Sequence, residues 1–338
     1  MIEINGAKGG GQMLRTALAL SVIRQEDFRI ENIRGNRSNP GLKNQHLECV
    51  KAAQRISDAE VEGDEMGSEE LVFRPETLVS DPFTANIGTA GSITLLYDTV
   101  LPITSQFDSG FRLTAKGGTD VKWSPTFNYL KHVKLPLVRE FGFSGKLELE
   151  KTGYYPVGGG EATLRTGEHS LQPVELTGRG EIVRFEIYSK ASSGLEDQDV
   201  ADRQADEAAR ILKNSHISVP LEKNTLYEKT DSTGSSLLVK AVYENTVAGF
   251  DVLGERGQRS EDVAKEAVQD FKSFHSSEAA VDEYMADQLI VFMAIVGGEI
   301  SVPEITSHVE TNLEVVEKFG VETGFERRKD SVLVECFT

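Results

Sequence analysis

One histidine lies between a predicted strand and a predicted helix, where it could act as a nucleophile toward phosphorus. His308 belongs to the segment Thr-Ser-His-Val-Glu-Thr-Asn at 306–312, which follows strand-like residues 300–305 and precedes a helical pattern that begins at Leu313. Imidazole nitrogens can form covalent bonds in nucleophilic catalysis. No metal-binding interval separates His308 from the other histidines, which are His46, His132, His169, His216 and His275. Because a lone histidine is more often structural than catalytic, the pattern leaves both roles open.

A glycine-rich run joins the first predicted strand to the first predicted helix. Gly9-Gly10-Gly11-Gln12 could bind an anion, because glycine lets the backbone approach a ligand and a helix N terminus presents free N–H groups. The run has neither the Gly-Lys-Ser/Thr ending of a P-loop nor the dinucleotide-binding fingerprint. It is therefore either an anion site, to which Lys8 and Arg15 would add charge, or a tight turn.

Two arginines lie three residues apart in a loop rich in turn-forming residues. Arg34 and Arg37 could bind a terminal phosphate, because the planar guanidinium group can donate two hydrogen bonds to one phosphate. A solvated loop would have a similar composition, so the pair alone decides nothing.

One face of a predicted helix carries Tyr284, Asp287 and Gln288 at three- and four-residue spacing. A polar face of this kind usually lies in solvent. The following residues, 289–296, are almost all apolar. The helix is therefore expected to enter a core, and its polar end could line a cleft. A second glycine-rich segment, Tyr-Tyr-Pro-Val-Gly-Gly-Gly-Glu at 154–161, is typical of a hairpin connection.

The elements that position these residues alternate between short apolar strands and amphipathic helices, which predicts an α/β (α+β) fold. A strand-helix-strand-helix-strand-strand unit occupies roughly 2–75, a second one 84–165, and a third is predicted to begin with a strand at 249–254 and helices at 260–274 and 279–296. We predict a large domain of three βαβαββ units, 1–177 and 249–338, with a smaller α/β domain inserted at 178–248.

Composition excludes several classes of protein. With 338 residues, of which 39% are hydrophobic and 27% charged, the chain can bury a core in two domains, which argues against disorder or a fibrous repeat. No apolar run is long enough for a membrane span, and charged residues interrupt the first twenty positions, so we expect a soluble cytoplasmic protein without membrane contact. Cys49 and Cys336 suggest neither a disulfide framework nor a zinc site.

The net charge of −18 argues at first against a polyanionic substrate, because lysine and arginine normally supply most of the affinity for phosphates. The distribution of charge weakens that objection. Residues 8–51 contain eight basic and four acidic side chains, so this segment is locally positive.

Taken together, eight segments in this order resemble the RNA 3′-terminal phosphate cyclase family, and the likeness covers nearly the whole chain. The segments are Gly-Gly-Gly-Gln-Met-Leu-Arg at 9–15, Ile-Arg-Gly-Asn-Arg-Ser-Asn-Pro-Gly-Leu at 33–42, Gln45-His46, Gly-Thr-Ala-Gly-Ser at 88–92, Gly-Gly-Thr-Asp at 117–120, Gly-Tyr-Tyr-Pro-Val-Gly-Gly-Gly at 153–160, Glu-Tyr-Met-Ala-Asp-Gln at 283–288 and Ser-His-Val-Glu-Thr-Asn at 307–312.

The resemblance implies the fold predicted above and a three-step reaction on RNA that carries a 3′-phosphate end. His308 would attack the α-phosphorus of ATP and release pyrophosphate. AMP would then pass from the histidine to the RNA 3′-phosphate, and the neighbouring 2′-hydroxyl would close a 2′,3′-cyclic phosphodiester and expel AMP.

The resemblance also implies roles for the other residues. Tyr284, Asp287 and Gln288, with Pro125 from the Trp-Ser-Pro turn at 123–125, would hold the adenosine. The residues expected on ATP phosphates or on the RNA end are Gln12, Arg15, Arg34 and Arg37. His46 would be a second phosphate ligand or a structural contact. Mg²⁺ or Mn²⁺ is expected on the triphosphate, since hard cations prefer oxygen ligands, and the protein could form a homodimer.

Two positions depart from the family pattern. Family members usually read Gly-x-Gly-Glu-Gly-Gly-Gly-Gln in the first loop, whereas this chain reads Gly-Ala-Lys-Gly-Gly-Gly-Gln at 6–12, one residue shorter and without the glutamate that resembles a metal ligand. Its metal ligands therefore stay unassigned. Asp98, which we place with the ATP-binding residues, stands where bacterial relatives tend to carry glutamine.

Two other functions compete with this one. A branch of the family lacks cyclase chemistry and serves in ribosomal RNA maturation, but that branch loses the histidine that this chain keeps at His308. An enolpyruvyl transferase has similar repeated units but would need a different arrangement of lysines, arginines and carboxylates.

Overall fold

The structure is a computed structural model that describes residues 1–107 and 109–338. The described residues form four mixed four-stranded sheets and the helices that pack on them. This arrangement confirms the predicted α/β class. Within the described ranges, no helix combines the length and the apolarity that crossing a bilayer requires.

The first sheet has the strand order β1-β2-β4-β3, with β1 and β2 parallel and β4 antiparallel to both of its neighbours. Its elements are β1 (Ile2–Asn5), α1 (Gly11–Arg24), β2 (Phe28–Glu31), α2 (Asn44–Ser57), β3 (Glu60–Glu62) and β4 (Leu71–Arg74). Helix α1 is buried from Gln12 to Val22 on all of its faces. A helix surrounded in this way is a central element of the core, so the polar side chains it carries must find partners there.

The second sheet repeats this strand order as β5-β6-β8-β7. Its elements are β5 (Phe83–Asn86), α3 (Ile93–Ile103), β6 (Arg112–Gly117), α4 (Phe127–Tyr129), α5 (Leu135–Glu140), β7 (Gly145–Lys151) and β8 (Gly160–Thr166). A π-helical turn at Leu130–Lys134 joins α4 to α5. Strands β7 and β8 pair antiparallel, so the glycine-rich segment at 153–160 is the connection of a hairpin.

After β9 (Val174–Leu176) the chain forms a separate sheet with the order β11-β10-β12-β13. Its elements are β10 (Ile182–Ser192), α6 (Val200–Lys213), β11 (Leu221–Glu228), β12 (Ser235–Tyr243), β13 (Val247–Leu253) and α7 (Ser260–Ser276). Both helices pack on this sheet around a second hydrophobic cluster, which includes Ala205, Val239, Phe250 and Phe271.

The predicted start of the third unit at 249–254 is wrong. Strand β13 pairs along its length with β12, and α7 packs against the same sheet, so residues 247–276 lie with the inserted segment and not after it, beyond the expected limit at 248. The apolar residues of a short strand indicate that the strand is buried, but they do not indicate which sheet it joins.

The third sheet has the order β15-β16-β14-β9, so its first strand is β9, which pairs parallel with β14 across the insertion. The remaining elements are α8 (Glu283–Val296), β14 (Gly298–Val302), α9 (Ser307–Lys318), β15 (Glu322–Arg327) and β16 (Val332–Phe337). Counted along the chain, this sheet and the first two share the order first-second-fourth-third. Helices from all three units, α1, α3, α8 and α9, pack against one another at the centre.

Candidate active site

A small pocket opens where these four central helices meet. Its lining combines five of the residues proposed from the sequence with side chains that had no predicted role. The lining residues are Gln12, Arg15, Thr16, Ala19, Asp98, Asp287, Gln288, Val291 and Asn312. The structure therefore brings Gln12, Asp98, Asp287 and Gln288 together with Arg15, although they come from three different units of the sequence.

Hydrogen bonds fix the position of α9 against α1. The Gln12 side-chain amide donates to Thr311 Oγ1 at 3.1 Å, and the Thr16 hydroxyl donates to Asn312 Oδ1, also at 3.1 Å. Asn312 Nδ2 donates in turn to the backbone carbonyl of Asp287 at 3.0 Å. These buried contacts hold the start of α9, and with it His308, over the pocket.

A buried cluster of charges lies on the other side of the pocket. The Asp98 carboxylate accepts a hydrogen bond from Arg15 Nε at 3.3 Å and contacts Lys134 Nζ, while the Lys134 side chain is 1% exposed. Burial alone would raise the pKa of Asp98, but Lys134 and then Arg15 outweigh burial, so the pKa lies below its ordinary value. Asp98 is therefore a carboxylate at neutral pH, and it is engaged by two cations.

His308 is the second residue of α9, whose N-cap Thr306 accepts a hydrogen bond from the Val309 amide at 3.2 Å. Its imidazole is 52% exposed, and Nδ1 lies 3.8 Å from Oδ2 of Asp287. Partial burial, followed by the positive charges of Arg15 and Arg37, lowers the pKa of His308. The ring is therefore neutral and accessible at neutral pH, which is the form that a nucleophile needs.

The carboxyl group of Asp287 binds its proton more tightly than an ordinary aspartate does. Burial, followed by the negative charge of Asp98, raises its pKa to about 7, while Arg15 and Lys134 oppose the shift. Asp287 therefore titrates near neutral pH, where Asp98, in the same pocket, stays ionised.

Three cationic or polar side chains converge on the N terminus of α1. A Cβ atom placed on Gly11 would lie 2.5 Å from Nε2 of His46 and 3.2 Å from Nη1 of Arg15, and one on Gly10 would lie 3.3 Å from Nη2 of Arg37. Glycine at these two positions therefore leaves the space in which the three side chains reach the helix end. The arrangement resembles an anion site more than a tight turn.

His46 is neutral in this position. Burial, followed by the charges of Arg15, Arg34 and Lys43, lowers its pKa to about 3. Its Nδ1 accepts a hydrogen bond from the Lys43 amide at 3.1 Å, so the proton must lie on Nε2. His46 consequently directs an N–H donor at the helix N terminus.

Arg34 has a different environment. Its Nη1 donates to the carbonyl oxygens of Asn39 at 2.9 Å and Gly41 at 2.8 Å, and its own φ angle is 56°. One nitrogen of Arg34 therefore stabilises the loop that carries Arg37. Its role in phosphate binding remains a sequence-based expectation.

The residues expected to hold adenosine lie at the start of α8 and just before α4. Tyr284 is 55% exposed, and Gln288 Nε2 donates to its carbonyl oxygen at 2.6 Å. The N-cap of α8, Asp282, accepts a hydrogen bond from the hydroxyl group of Tyr129 at 2.6 Å. Because Tyr129 is in α4, this bond ties the turn that contains Pro125 to the start of α8.

Among the described residues, no group of three or more histidine, cysteine, aspartate or glutamate side chains lies close enough to hold a metal ion. The carboxylates of the pocket, Asp98 and Asp287, are engaged by cations or partly protonated.

Sequence reasoning missed Lys134, Thr16, Thr311 and Asn312. Thr311 and Asn312 belong to a segment that was singled out, but their roles depend on contacts with α1 that spacing does not reveal. Lys134 gave a usable signal, since it stands among Leu130, Val133, Leu135 and Val138, where a charge requires a buried partner.

The family model described as RNA 3′-terminal phosphate cyclase matches residues 7–324. The RNA 3′-terminal phosphate cyclase of Halobacterium salinarum is 38% identical over 345 aligned residues, which cover 99% of each chain. Those of Saccharolobus islandicus and Saccharolobus solfataricus are 42% and 41% identical, and each alignment covers 94% of both chains. The chain belongs to the RNA 3′-terminal phosphate cyclase family, as its sequence motifs predict.

A solved structure, the enolpyruvyl transferase NikO from Streptomyces tendae, aligns with a TM-score of 0.38 at 9% identity, covering 98% of this chain and 47% of that one. This likeness is too weak to indicate a shared activity.

Proposed function

We propose that this protein converts the 3′-phosphate of RNA to a 2′,3′-cyclic phosphodiester at the expense of ATP, through a covalent histidinyl-AMP at His308. Membership of the family and the names of the relatives support the overall reaction. The observation that carries the covalent step is the imidazole of His308, neutral at neutral pH and half exposed, beside Arg15 and Arg37 at the end of α1.

In the first step the imidazole attacks the α-phosphorus of ATP. A P–N bond forms, the bond between the α-phosphorus and its bridging oxygen breaks, and pyrophosphate leaves. Because Nδ1 faces Asp287, we assign the attack to Nε2, with the Nδ1 proton directed at the carboxylate. The cations near the helix end would stabilise the charge that develops on the phosphoryl oxygens.

In the second step an oxygen of the RNA 3′-phosphate attacks the same phosphorus, the P–N bond breaks, and His308 is released. In the third step the 2′-hydroxyl attacks the RNA phosphorus and loses its proton, and AMP leaves with the bridging oxygen. Each step exchanges one phosphorus bond for another, so orientation of the groups supplies much of the catalysis.

The phosphate groups would bind where Arg15, Arg37 and His46 converge, with Gln12 and Arg34 at the edge. Two guanidinium groups and the Nε2–H of His46 offer hydrogen-bond donors to a phosphate, and the free backbone N–H groups at the N terminus of α1 offer more. The first-loop lysine, Lys8, is exposed, and its Nζ lies 3.6 Å from Oε1 of Glu314. This exposed contact does not fix the side chain toward the phosphates, so we assign Lys8 no role.

The adenosine would bind at the other end of the pocket. Tyr284 and Pro125 offer faces for stacking on the base, and Gln288 and Asp287 offer hydrogen-bonding groups. Asp98 would act indirectly, because its carboxylate is occupied by Arg15 and Lys134 and can orient the Arg15 guanidinium toward the phosphates.

A Mg²⁺ or Mn²⁺ ion would enter with the triphosphate and neutralise its charge. In the absence of a carboxylate cluster among the described side chains, its ligands would be mainly phosphate oxygens and water, as is common for Mg²⁺. This fits a first loop without the family's glutamate.

The second candidate is a non-catalytic relative that acts in ribosomal RNA processing. The retained, accessible His308 favours the enzyme over this alternative.

Incubation of the protein with α-labelled ATP and Mg²⁺ tests the proposal. We expect an acid-labile labelled adduct that His308→Ala abolishes and that His216→Ala, a change of an exposed histidine after α6, leaves intact. An RNA with a 3′-phosphate should discharge the adduct and acquire a cyclic end. A labelled adduct in the His308→Ala variant would reject the assigned nucleophile, and a wild-type protein without any adduct would favour the non-catalytic alternative.

A further inference from the structure

The turn before α4 presents an aromatic ring to solvent. Trp123 is the one tryptophan of the chain, and it is 95% exposed. Its neighbour two residues earlier, Val121, is 7% exposed and buried in the usual way. Tryptophan is large and mostly apolar, so a ring that contacts almost nothing in the fold has no evident structural use.

The backbone at Trp123 adopts a conformation that favours glycine. Its φ angle is 63°, in the left-handed region that bulky residues rarely enter. An unfavourable conformation persists where the surroundings impose it, and such residues cluster at functional sites.

The surroundings hold this turn on both sides. The Ser124 hydroxyl donates to the carbonyl oxygen of Val121 at 2.9 Å, and the Thr126 amide donates to Oδ2 of Asp251 at 2.6 Å. The carbonyl oxygen of Pro125 accepts a hydrogen bond from the Thr94 hydroxyl at 2.9 Å. The backbone that carries the indole is thus fixed before any ligand arrives, which lowers the entropy cost of binding.

The position of Trp123 relates it to the site. It lies two residues before Pro125, which we propose as an adenosine contact. An RNA whose 3′-phosphate reaches AMP on His308 must extend away from the pocket across its rim. Sequence-tolerant proteins hold unpaired RNA by stacking bases on aromatic side chains.

The charge of the chain gives stacking particular weight. At a net charge of −18, the protein as a whole repels a polyanion beyond the reach of the cations at the site. Attraction that does not depend on phosphate charge would offset this repulsion.

We propose that Trp123 is a stacking platform for an unpaired base of the RNA just upstream of its 3′-phosphate. This inference rests on the proposed function for the identity of the ligand. A second copy of the chain is the other occupant to consider. The residues that flank the ring, Lys122 and Ser124, are polar, and Lys122 lies 2.6 Å from Glu255. Cores of protein interfaces are depleted of such charges, so RNA is favoured.

The single tryptophan makes the test direct. In the His308→Ala variant, which forms no adduct, we titrate a short single-stranded RNA with a 3′-phosphate and follow tryptophan emission. We expect quenching by this RNA, and much weaker quenching by a fully paired duplex of the same sequence, whose bases are already stacked. Quenching by ATP but not by the RNA would assign the ring to the nucleotide and overturn the proposal.

Affinity for a labelled RNA gives the second readout. Trp123→Ala should weaken binding about tenfold, in the range measured for loss of one base-aromatic stack, and Trp123→Phe should restore part of it. Phe325→Ala, which removes another exposed aromatic ring from β15, should change nothing. The ratio between wild type and Trp123→Ala should be the same at low and high salt, because stacking releases no counterions.

Adduct formation with ATP separates this proposal from the proposed function. Trp123→Ala should form the histidine adduct as the wild type does, since that step needs no RNA. If the wild type forms no adduct, the proposed function fails, while the RNA titration still reports on Trp123. Unchanged RNA affinity in Trp123→Ala, or a loss of dimer without a loss of RNA affinity, would contradict the stacking role.

Discussion

Nδ1 of His308 lies 3.8 Å from Oδ2 of Asp287. This distance is longer than a hydrogen bond, but catalytic hydrogen bonds are often long before the substrate binds and shorten when it does. Closure of this gap would fix the imidazole tautomer that has its lone pair on Nε2. It would do so only while Asp287 is ionised, so the pair links the reactivity of His308 to the protonation of its neighbour.

This relationship predicts the pH dependence of adduct formation. The pKa of Asp287 is raised to about 7, so the wild-type rate should fall as the pH drops through about 7 and the carboxylate is lost. The pKa of His308 is lowered, so its own protonation should reduce the rate only below about 6.5. Asp287→Asn should react more slowly, and its rate should no longer fall as the pH drops through about 7. Glu283→Gln, on the exposed first turn of the same helix, should keep the wild-type pH dependence. If the rate of Asp287→Asn still falls near pH 7, another group is responsible for the pH dependence.

The sequence predicted the α/β class and singled out five residues that the structure places around one pocket, and its failures have physical causes. The α/β class follows from the alternation of strands and helices. Strand β11 was missed because none of its eight residues is buried and five are exposed, and an edge strand of this kind has no apolar pattern. The π-helical turn at Leu130–Lys134 changes the direction in which the Lys134 side chain points, and a 3.6-residue sequence period does not reveal this change.

The shared motifs singled out residues that meet in one pocket, but they did not reveal the contacts among those residues. Asp98 was expected beside the nucleotide, whereas the structure pairs it with Lys134 and Arg15. Ion pairs between residues far apart in sequence depend on helix packing, so no local spacing announces them.

The buried ion pair between Asp98 and Lys134 should matter for stability. Lys134→Met should lower the free energy of unfolding by about 3–5 kcal/mol, because removing one partner of a buried pair leaves a poorly compensated charge. Asp98→Asn in the same chain should recover part of that loss. Urea denaturation of both single variants and the double variant measures the coupling. Lys146→Met is the control: it breaks an ion pair whose lysine side chain is 70% exposed, so it should change the free energy of unfolding little. If the losses of the two single variants simply add in the double variant, Asp98 and Lys134 are not coupled.

The space above Gly11 should be needed for phosphate binding. Gly11→Ala would place a methyl group 2.5 Å from Nε2 of His46, so the imidazole must move away from the helix end. We expect weaker ATP binding in calorimetry and a loss of about 1–3 kcal/mol in stability from overpacking. Gly178→Ala, where the added Cβ meets no atom within 4 Å, should affect neither quantity. Normal ATP affinity in Gly11→Ala would remove His46 from the phosphate site.

The carboxyl group of Asp251 should make the folded protein less stable as the pH rises. Burial raises its pKa from 3.8 to about 6, although the Thr126 amide donates to it. A group with a raised pKa in the folded state contributes stability that is fully present below its unfolded pKa, near 3.8, and is lost as the pH rises through about 6. Asp251→Asn keeps an oxygen that can accept from Thr126 and has no charge to bury. Its free energy of unfolding should therefore fall less than that of the wild type between about pH 5 and about pH 7.5, by on the order of 1–2 kcal/mol. Asp197→Asn, in the segment before α6 and exposed, should follow the wild type. Equal slopes of the free energy of unfolding against pH for Asp251→Asn and the wild type would show that the Asp251 carboxyl group is not desolvated. The residues beneath the turn that carries Trp123 and Pro125 would then be more accessible to solvent than their contacts indicate.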